Sequence, residues 1–315
     1  MPLSTVQHNC MLSSLLPDLD LSESLANLSI TGLSLDSRLV KPGHLFFAVP
    51  GFLQDGRDYI HSSLQSGAEI VLYQPDKKLL PDNERIVPIA NLNQKISEIS
   101  GRFYSHPSKK IALTGITGTN GKTTCTQLLA HLLSFVNGPV GVIGTLGYGS
   151  IMAKKTDLKT KGMTTPNPID IQSILADFVA SDINQAVMEV SSHGISQFRI
   201  NSLLFETAVF TNLSHDHLDY HGNLENYSKI KKELFSMPGL KNAVINIDDT
   251  VSPPFFENMM SLIFKKLLVN LKIEETVSGG SVANTIVGLS QLGDKVGFIG
   301  KVSNDELGGK YEEGL

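Results

Sequence analysis

The chain reads as an α/β protein with three parts. A small N-terminal α/β domain precedes a central doubly wound, mostly parallel sheet of phosphate-loop type, and a C-terminal α/β fragment follows. Three observations carry this reading. From Ile30 to Ile247, short apolar runs of strand length alternate with stretches of helical periodicity. A glycine-rich turn over residues 114–124 sits between a strand-like run (109–113) and a helix whose Cys125, Leu128, Leu129, Leu132, Leu133 and Val136 recur at helical spacing. The 315 residues, 41% hydrophobic and 18% charged, suffice for two or three cores. The expected domains are 1–108, 109–250 and 251–315.

In the first domain, residues 1 to about 30 are weakly patterned and rich in serine and leucine. Residues 45–49 form a buried strand ended by Pro50 and Gly51. Residues 60–65 make a short helix and 69–73 a second strand. Residues 86–89 make a third, placed at an edge by Pro88. Ile96, Ile99 and Phe103 mark a helix that Gly101 weakens, and residues 106–108 read as a linker.

The second domain opens with the strand before the glycine-rich turn and continues with a strand at 140–143. Residues 150–161 read as a lysine-bearing loop. Residues 168–180 are helical, with Pro168 in the first turn and Ile171, Ile174, Leu175 and Phe178 on one face. Strands follow at 185–190 and 207–211, a helix at 223–235 and a strand at 243–247.

The glycine-rich turn predicts a nucleoside triphosphate site. Backbone N–H groups from Gly118, Thr119, Asn120 and Gly121 close around phosphate oxygens, and the following helix N-terminus adds positive potential. Lys122 can reach terminal phosphates, the Thr123 hydroxyl can hold Mg²⁺, and Thr124 completes the loop. The first glycine is offset: Ile116 stands where the common phosphate loop has glycine, and Gly115 lies one residue earlier.

Three further clusters stand out. Glu189 ends a strand and leads into residues 190–194; it is either a Mg²⁺ ligand or a solvated loop acid. His215, Asp216, His217, Asp219 and His221 crowd one segment, where a metal or phosphate role falls to one or two of them and the rest cap or pack. On a wheel of about 100° per residue, Lys231 falls inside the apolar stripe of Leu224, Tyr227, Ile230, Leu234 and Phe235. It either snorkels to the rim or faces the site with a task there.

Composition excludes other classes. A net charge of −5 argues against a dedicated nucleic-acid binder. No apolar run approaches ~18 residues, so no membrane span is expected. Cys10 and Cys125 are too few for a disulfide framework and read as inert thiols. No Lys or Arg precedes Arg38, so no signal peptide is expected and a cytoplasmic location is.

Residues about 30–249 resemble the Mur ligases, and among them the UDP-N-acetylmuramoyl-tripeptide synthetases. The resemblance lies in residues 117–124 with their offset glycine, in Asp36-Ser37-Arg38, Gly43-His44-Leu45-Phe46 and Asp55-Gly56-Arg57, and in Thr164-Thr165-Pro166 and residues 189–194. It implies an ATP-dependent acid–amino-acid ligase acting on UDP-MurNAc-dipeptide and an amino acid through an acyl phosphate. Lys122 would bind the ATP phosphates; Thr123 and Glu189 would hold one Mg²⁺, and His217 would serve a second. Lys231 matches the family lysine that becomes a carbamate and bridges metal. Ser37 would contact uridine, while Thr164, Thr165, Ser191, Gln197 and Arg199 would hold the muramoyl-dipeptide. The family's third domain is not legible after Asp249, so negligible turnover by the isolated chain is expected. Residues about 270–315, with Gly279, Gly280, Asn284 and a segment at 304–308, instead resemble the N-terminal signature of PfkB-type (ribokinase-like) kinases. Two alternatives follow: a binding remnant that ligates nothing, and a kinase.

Overall fold

The computed structural model describes residues 8–51, 54–75, 83–152, 155–160, 162–214, 216 and 218–246. The described residues up to Thr211, with residues 216 and 218–244, belong to one compact unit. His217 and the kinase-like segment lie outside the described residues.

The weakly patterned N-terminus is structured from residue 8 onward. Strands β1 (Cys10–Met11) and β2 (Ser29–Ile30) pair antiparallel around short helices α1 (Leu12–Leu15) and α2 (Glu23–Ala26). A parallel sheet follows in the order β3 (Gly32–Ser34), β4 (His44–Ala48), β5 (Ala68–Tyr73), β6 (Ile86–Pro88), with α3 (Ile60–Gln65) and α4 (Leu92–Phe103) beside it. Strand alternation sends Leu45 and Phe47 to one face, where Ile96, Ile99 and Phe103 of α4 pack with Leu12 and Leu15. It sends Phe46 and Ala48 to the other, against Ile60 of α3. Burying each such side chain contributes roughly 1.5–3 kcal/mol. Pro88 ends the edge strand β6, as its missing N–H requires.

The segment read as a linker is a packed turn. Pro107–Lys109 forms one 3₁₀ turn, Pro107 and Ser108 are buried, and Ser108 Oγ accepts the Leu204 N–H at 3.2 Å.

The second sheet runs β10 (Lys155–Lys159), β9 (Gly147–Met152), β8 (Val140–Gly144), β11 (Gln185–Glu189), β7 (Ala112–Thr117), β12 (Thr207–Phe210), β13 (Asn242–Ile245). Strands β8, β11, β7 and β12 are parallel, whereas β9 and β10 add an antiparallel hairpin. That hairpin corrects the reading of 150–161 as a loop. Edge strand β10 is mostly exposed, so it lacks the apolar alternation that reveals a strand, and lysines are apt guards for an open edge. Helices α5 (Lys122–Asn137) and α6 (Pro168–Ala180) cover opposite faces. Val140 and Val142 cluster with Leu129 and Leu133 of α5, while a Cβ on Gly141 would meet the Phe178 ring of α6 at 2.5 Å. Short α7 (Ser192–Ser196), α8 (Leu218–His221) and α9 (Leu224–Glu233) complete the described helices. No described helix is long and apolar enough to cross a membrane. The α/β class with parallel sheets is as the sequence predicts.

Candidate active site

The carboxyl ends of β7, β8 and β11 lie side by side, the position at which parallel sheets gather ligands. After Thr117 the backbone turns through Gly118 to Gly121, whose φ of +82° sits in the left-handed region and fixes the start of α5. Lys122 is the first residue of that helix. Its ammonium donates to the Gly118 and Thr119 carbonyls, each at 2.8 Å. Burial holds its pKa below the usual lysine range, against the pull of Glu189 and Asp216. Asn120 closes the loop, its carbonyl accepting the Thr211 hydroxyl at 2.6 Å, while Thr124 is exposed on the first turn of α5.

Glu189, the last residue of β11, is 0% exposed, which decides against a solvated loop acid. Its Oε2 accepts the Thr123 hydroxyl at 3.0 Å and its Oε1 the Thr145 N–H at 2.9 Å. A fully buried carboxylate beside a hydroxyl at the head of a phosphate-loop helix suits Mg²⁺, which takes one or two protein oxygens and completes its shell with phosphates and water. Among the described residues, no group of three or more His, Cys, Asp or Glu forms a self-sufficient metal cage.

Lys231 is 1% exposed and projects from α9 onto the loop. Its Nζ donates to the Gly118 carbonyl at 2.8 Å and lies 4.4 Å from the centre of the Tyr227 ring. Burial first, and the Lys122 charge second, lower its pKa to about 7. The inward orientation is therefore the one realised, and snorkelling is not. Lys122, Thr123, Glu189 and Lys231 converge on one loop.

Beside them lies a polar rim. The Thr165 hydroxyl donates to the Glu189 carbonyl at 2.9 Å and accepts the Ser191 N–H at 3.0 Å. Ser191 caps α7 through its hydroxyl, and Thr164 touches Thr145 at 3.0 Å. Arg199 donates to the Thr165 carbonyl and, at 2.6 Å, to Gln197 Oε1. Burial keeps the Arg199 pKa below its usual value. Thr164, Thr165, Ser191, Gln197 and Arg199 thus form one connected cluster.

Matches to known families cover both sheets. Residues 116–295 match the Mur ligase middle domain, and residues 29–104 match the catalytic domain of the Mur ligase family. The chain belongs to the Mur ligase family. A UDP-N-acetylmuramoyl-L-alanyl-D-glutamate–2,6-diaminopimelate ligase of Pseudomonas aeruginosa is 45% identical over 225 residues, covering 71% of this chain and 45% of that protein. The enzyme of the same name from Coxiella burnetii is 43% identical over 228 residues, covering 72% and 46%. A solved structure of such a ligase superposes with a TM-score of 0.69 at 28% identity, over 80% of this chain and 50% of that one. MurF from Acinetobacter baumannii, at 17% identity and TM-score 0.57, shares the fold over 81% of this chain and 52% of its own. The chain spans about half the length of the curated relatives it matches. The kinase resemblance finds no support in these matches, and the middle-domain match runs through its first half to residue 295.

In this Mur ligase chain, Ser37 stands apart from the cluster. It lines a cavity of about 430 Å³ at the first sheet with Leu35, Phe46, Val49 and Tyr59. Two similar turns border that cavity: Asp36 accepts the Arg38 N–H and pairs with its guanidinium at 2.6 Å, and Asp55 does the same for Arg57. Thr145 escaped the sequence reading, and Tyr227 entered it only as a member of the apolar stripe. Thr145 follows the strand β8, and that position at a sheet's carboxyl edge is the signal that could have found it. Tyr227, one turn before Lys231 on the same stripe, points its hydroxyl at Thr119 Oγ1, 3.3 Å away.

Proposed function

We propose that this chain carries the nucleotide and acceptor sites of an ATP-dependent ligase that adds the third amino acid to UDP-MurNAc-L-Ala-D-Glu, a cytoplasmic step of peptidoglycan precursor synthesis for the cell wall. The observation that carries the reading is the convergence of Lys122, Glu189 and Lys231 on the loop around Gly118, beside the threonine rim. The names of the matched relatives support the substrate pair and make 2,6-diaminopimelate the first amine to test. Residues 1–108 are the UDP-binding domain in this reading and 109–250 the ATP-binding domain.

The acceptor carboxylate oxygen attacks the γ-phosphorus of ATP. A new O–P bond forms as the bond to ADP breaks, and the product is an acyl phosphate. The amino-acid amine then attacks the acyl carbon, the C–O bond to phosphate breaks and the amine proton leaves. No protein nucleophile takes part. Lys122 neutralises charge on the transferring phosphoryl group, and the loop N–H groups of Gly118 to Thr124 orient it. Thr123 and Glu189 would hold Mg²⁺, with His217 and a carbamylated Lys231 serving a second ion; bound metal supplies further neutralisation of phosphate charge. Lys231 is suited to carbamylation because its amine, neutral above about pH 7, can attack carbon dioxide and lose a proton. Ser37 contacts the uridine, and Thr164, Thr165, Ser191, Gln197 and Arg199 hold the muramoyl-dipeptide.

Calorimetric titration of the purified chain with UDP-MurNAc-dipeptide tests the acceptor assignment. The expected result is saturable binding that Ser37→Ala weakens by about fivefold, as for a neutral hydrogen bond, and Arg199→Ala by about tenfold or more, as for a charged one. Equal binding by wild type and both variants would contradict it.

A further inference from the structure

We propose that Thr145 is a positioning residue that couples the nucleotide–metal subsite to the acceptor subsite. The proposal rests on the functional reading above and adds to it a residue that the reading does not use.

The strands set the geometry. Strands β8 and β11 run parallel with Ile143 beside Met188, so Gly144 and Thr145 emerge next to Glu189. A Cβ on Gly144 would stand 2.2 Å from Glu189 Oε1; only glycine lets the carboxylate lie against this backbone. Thr145 then holds both carboxylate oxygens, its N–H on Oε1 at 2.9 Å and its hydroxyl 3.0 Å from Oε2. The same hydroxyl lies 3.0 Å from Thr164 Oγ1, on the rim assigned to the acceptor. No other described hydrogen bond joins the Glu189 carboxylate group to the Thr164 side chain through a single atom.

A hydroxyl has one proton. It can donate to Glu189 or to Thr164, not to both at once. Whatever draws on the lone pairs of Glu189 Oε2 therefore changes the bond available to Thr164, and a ligand on Thr164 changes the hold on Glu189. Coupling of this kind is reciprocal: each ligand alters the affinity of the other by the same factor.

The test measures that factor. Mg·ADP is titrated into the purified chain with and without saturating UDP-MurNAc-dipeptide. The wild type is expected to bind Mg·ADP about tenfold more tightly with the dipeptide present, a typical coupling. Thr145→Ser keeps the hydroxyl and is expected to keep the ratio. Thr145→Val, of similar shape, is expected to bring the ratio to about one, with the bond lost outright. If Thr145→Val fails to fold by circular dichroism, Thr164→Val cuts the same link from its other end and must collapse the ratio likewise. A merely structural threonine would lower stability or both affinities without moving their ratio. A wild-type ratio of one, or a ratio unchanged in the valine variant, overturns the proposal. A wild-type chain that binds neither ligand overturns the functional reading, and the proposal with it.

Discussion

Lys231 shows how much one residue can reveal. An ammonium inside an apolar stripe was legible as an anomaly in the sequence, and the structure finds it 1% exposed on the loop carbonyl of Gly118. Its pKa is about 7, against 10.5 for a free lysine. Between those values the unfolded chain binds a proton that the folded chain does not, so stability rises with pH through that window. Below about 7 both states are protonated and the full cost of burying the charge is present. Lys231→Met is therefore expected to raise the denaturant midpoint most at about pH 6, with the gain fading towards about pH 10. The same variant should lose the carbamate adduct that labelled bicarbonate leaves on the wild type, read by mass. A gain independent of pH would contradict the buried-charge account, and an adduct surviving in the variant would contradict the carbamate. Thr145 carries a weaker signal, its place at a sheet's carboxyl edge, which singles it out only once its partner Glu189 is seen beside it.

At the scale of elements, the strongly periodic segments were legible to within a residue or two. Helix α6 falls at Pro168–Ala180 and α3 at Ile60–Gln65, as the apolar spacing requires. The hairpin β9–β10 was not legible, since its outer strand buries almost nothing. Gly101, read as a weakness in α4, has a packing reason: a Cβ there would stand 3.3 Å from Gln172 Nε2, which bonds the Ser97 carbonyl and the Ser202 hydroxyl. The close fit of α6 on β8 is the element most exposed to mutation. Phe178 is 0% exposed and lies over Gly141. Phe178→Ala should cost about 3–5 kcal/mol in chemical denaturation, the range for emptying a core aromatic site. A cost below about 1 kcal/mol would mean that the helix is not seated on the sheet as described.

At the scale of the molecule, a parallel sheet and a mostly parallel one frame two separate places. The first frames the cavity of Ser37; the second brings the ends of β7, β8 and β11 together, so that a loop, a carboxylate and a lysine distant in sequence share one site. The loop was readable alone as a triphosphate site, but its partnership with Glu189 is a product of strand order and that with Lys231 of where α9 places its inward side chain. The central claim is that this cluster binds nucleotide through Mg²⁺ at Glu189. The most direct measurement is calorimetric titration of the purified chain with ATP, with and without Mg²⁺, for wild type and Glu189→Gln. The account predicts that wild-type binding requires the metal and that Glu189→Gln weakens it by about tenfold or more, the loss expected when a charged ligand oxygen is neutralised. Equal affinity without Mg²⁺, or in Glu189→Gln, would contradict it.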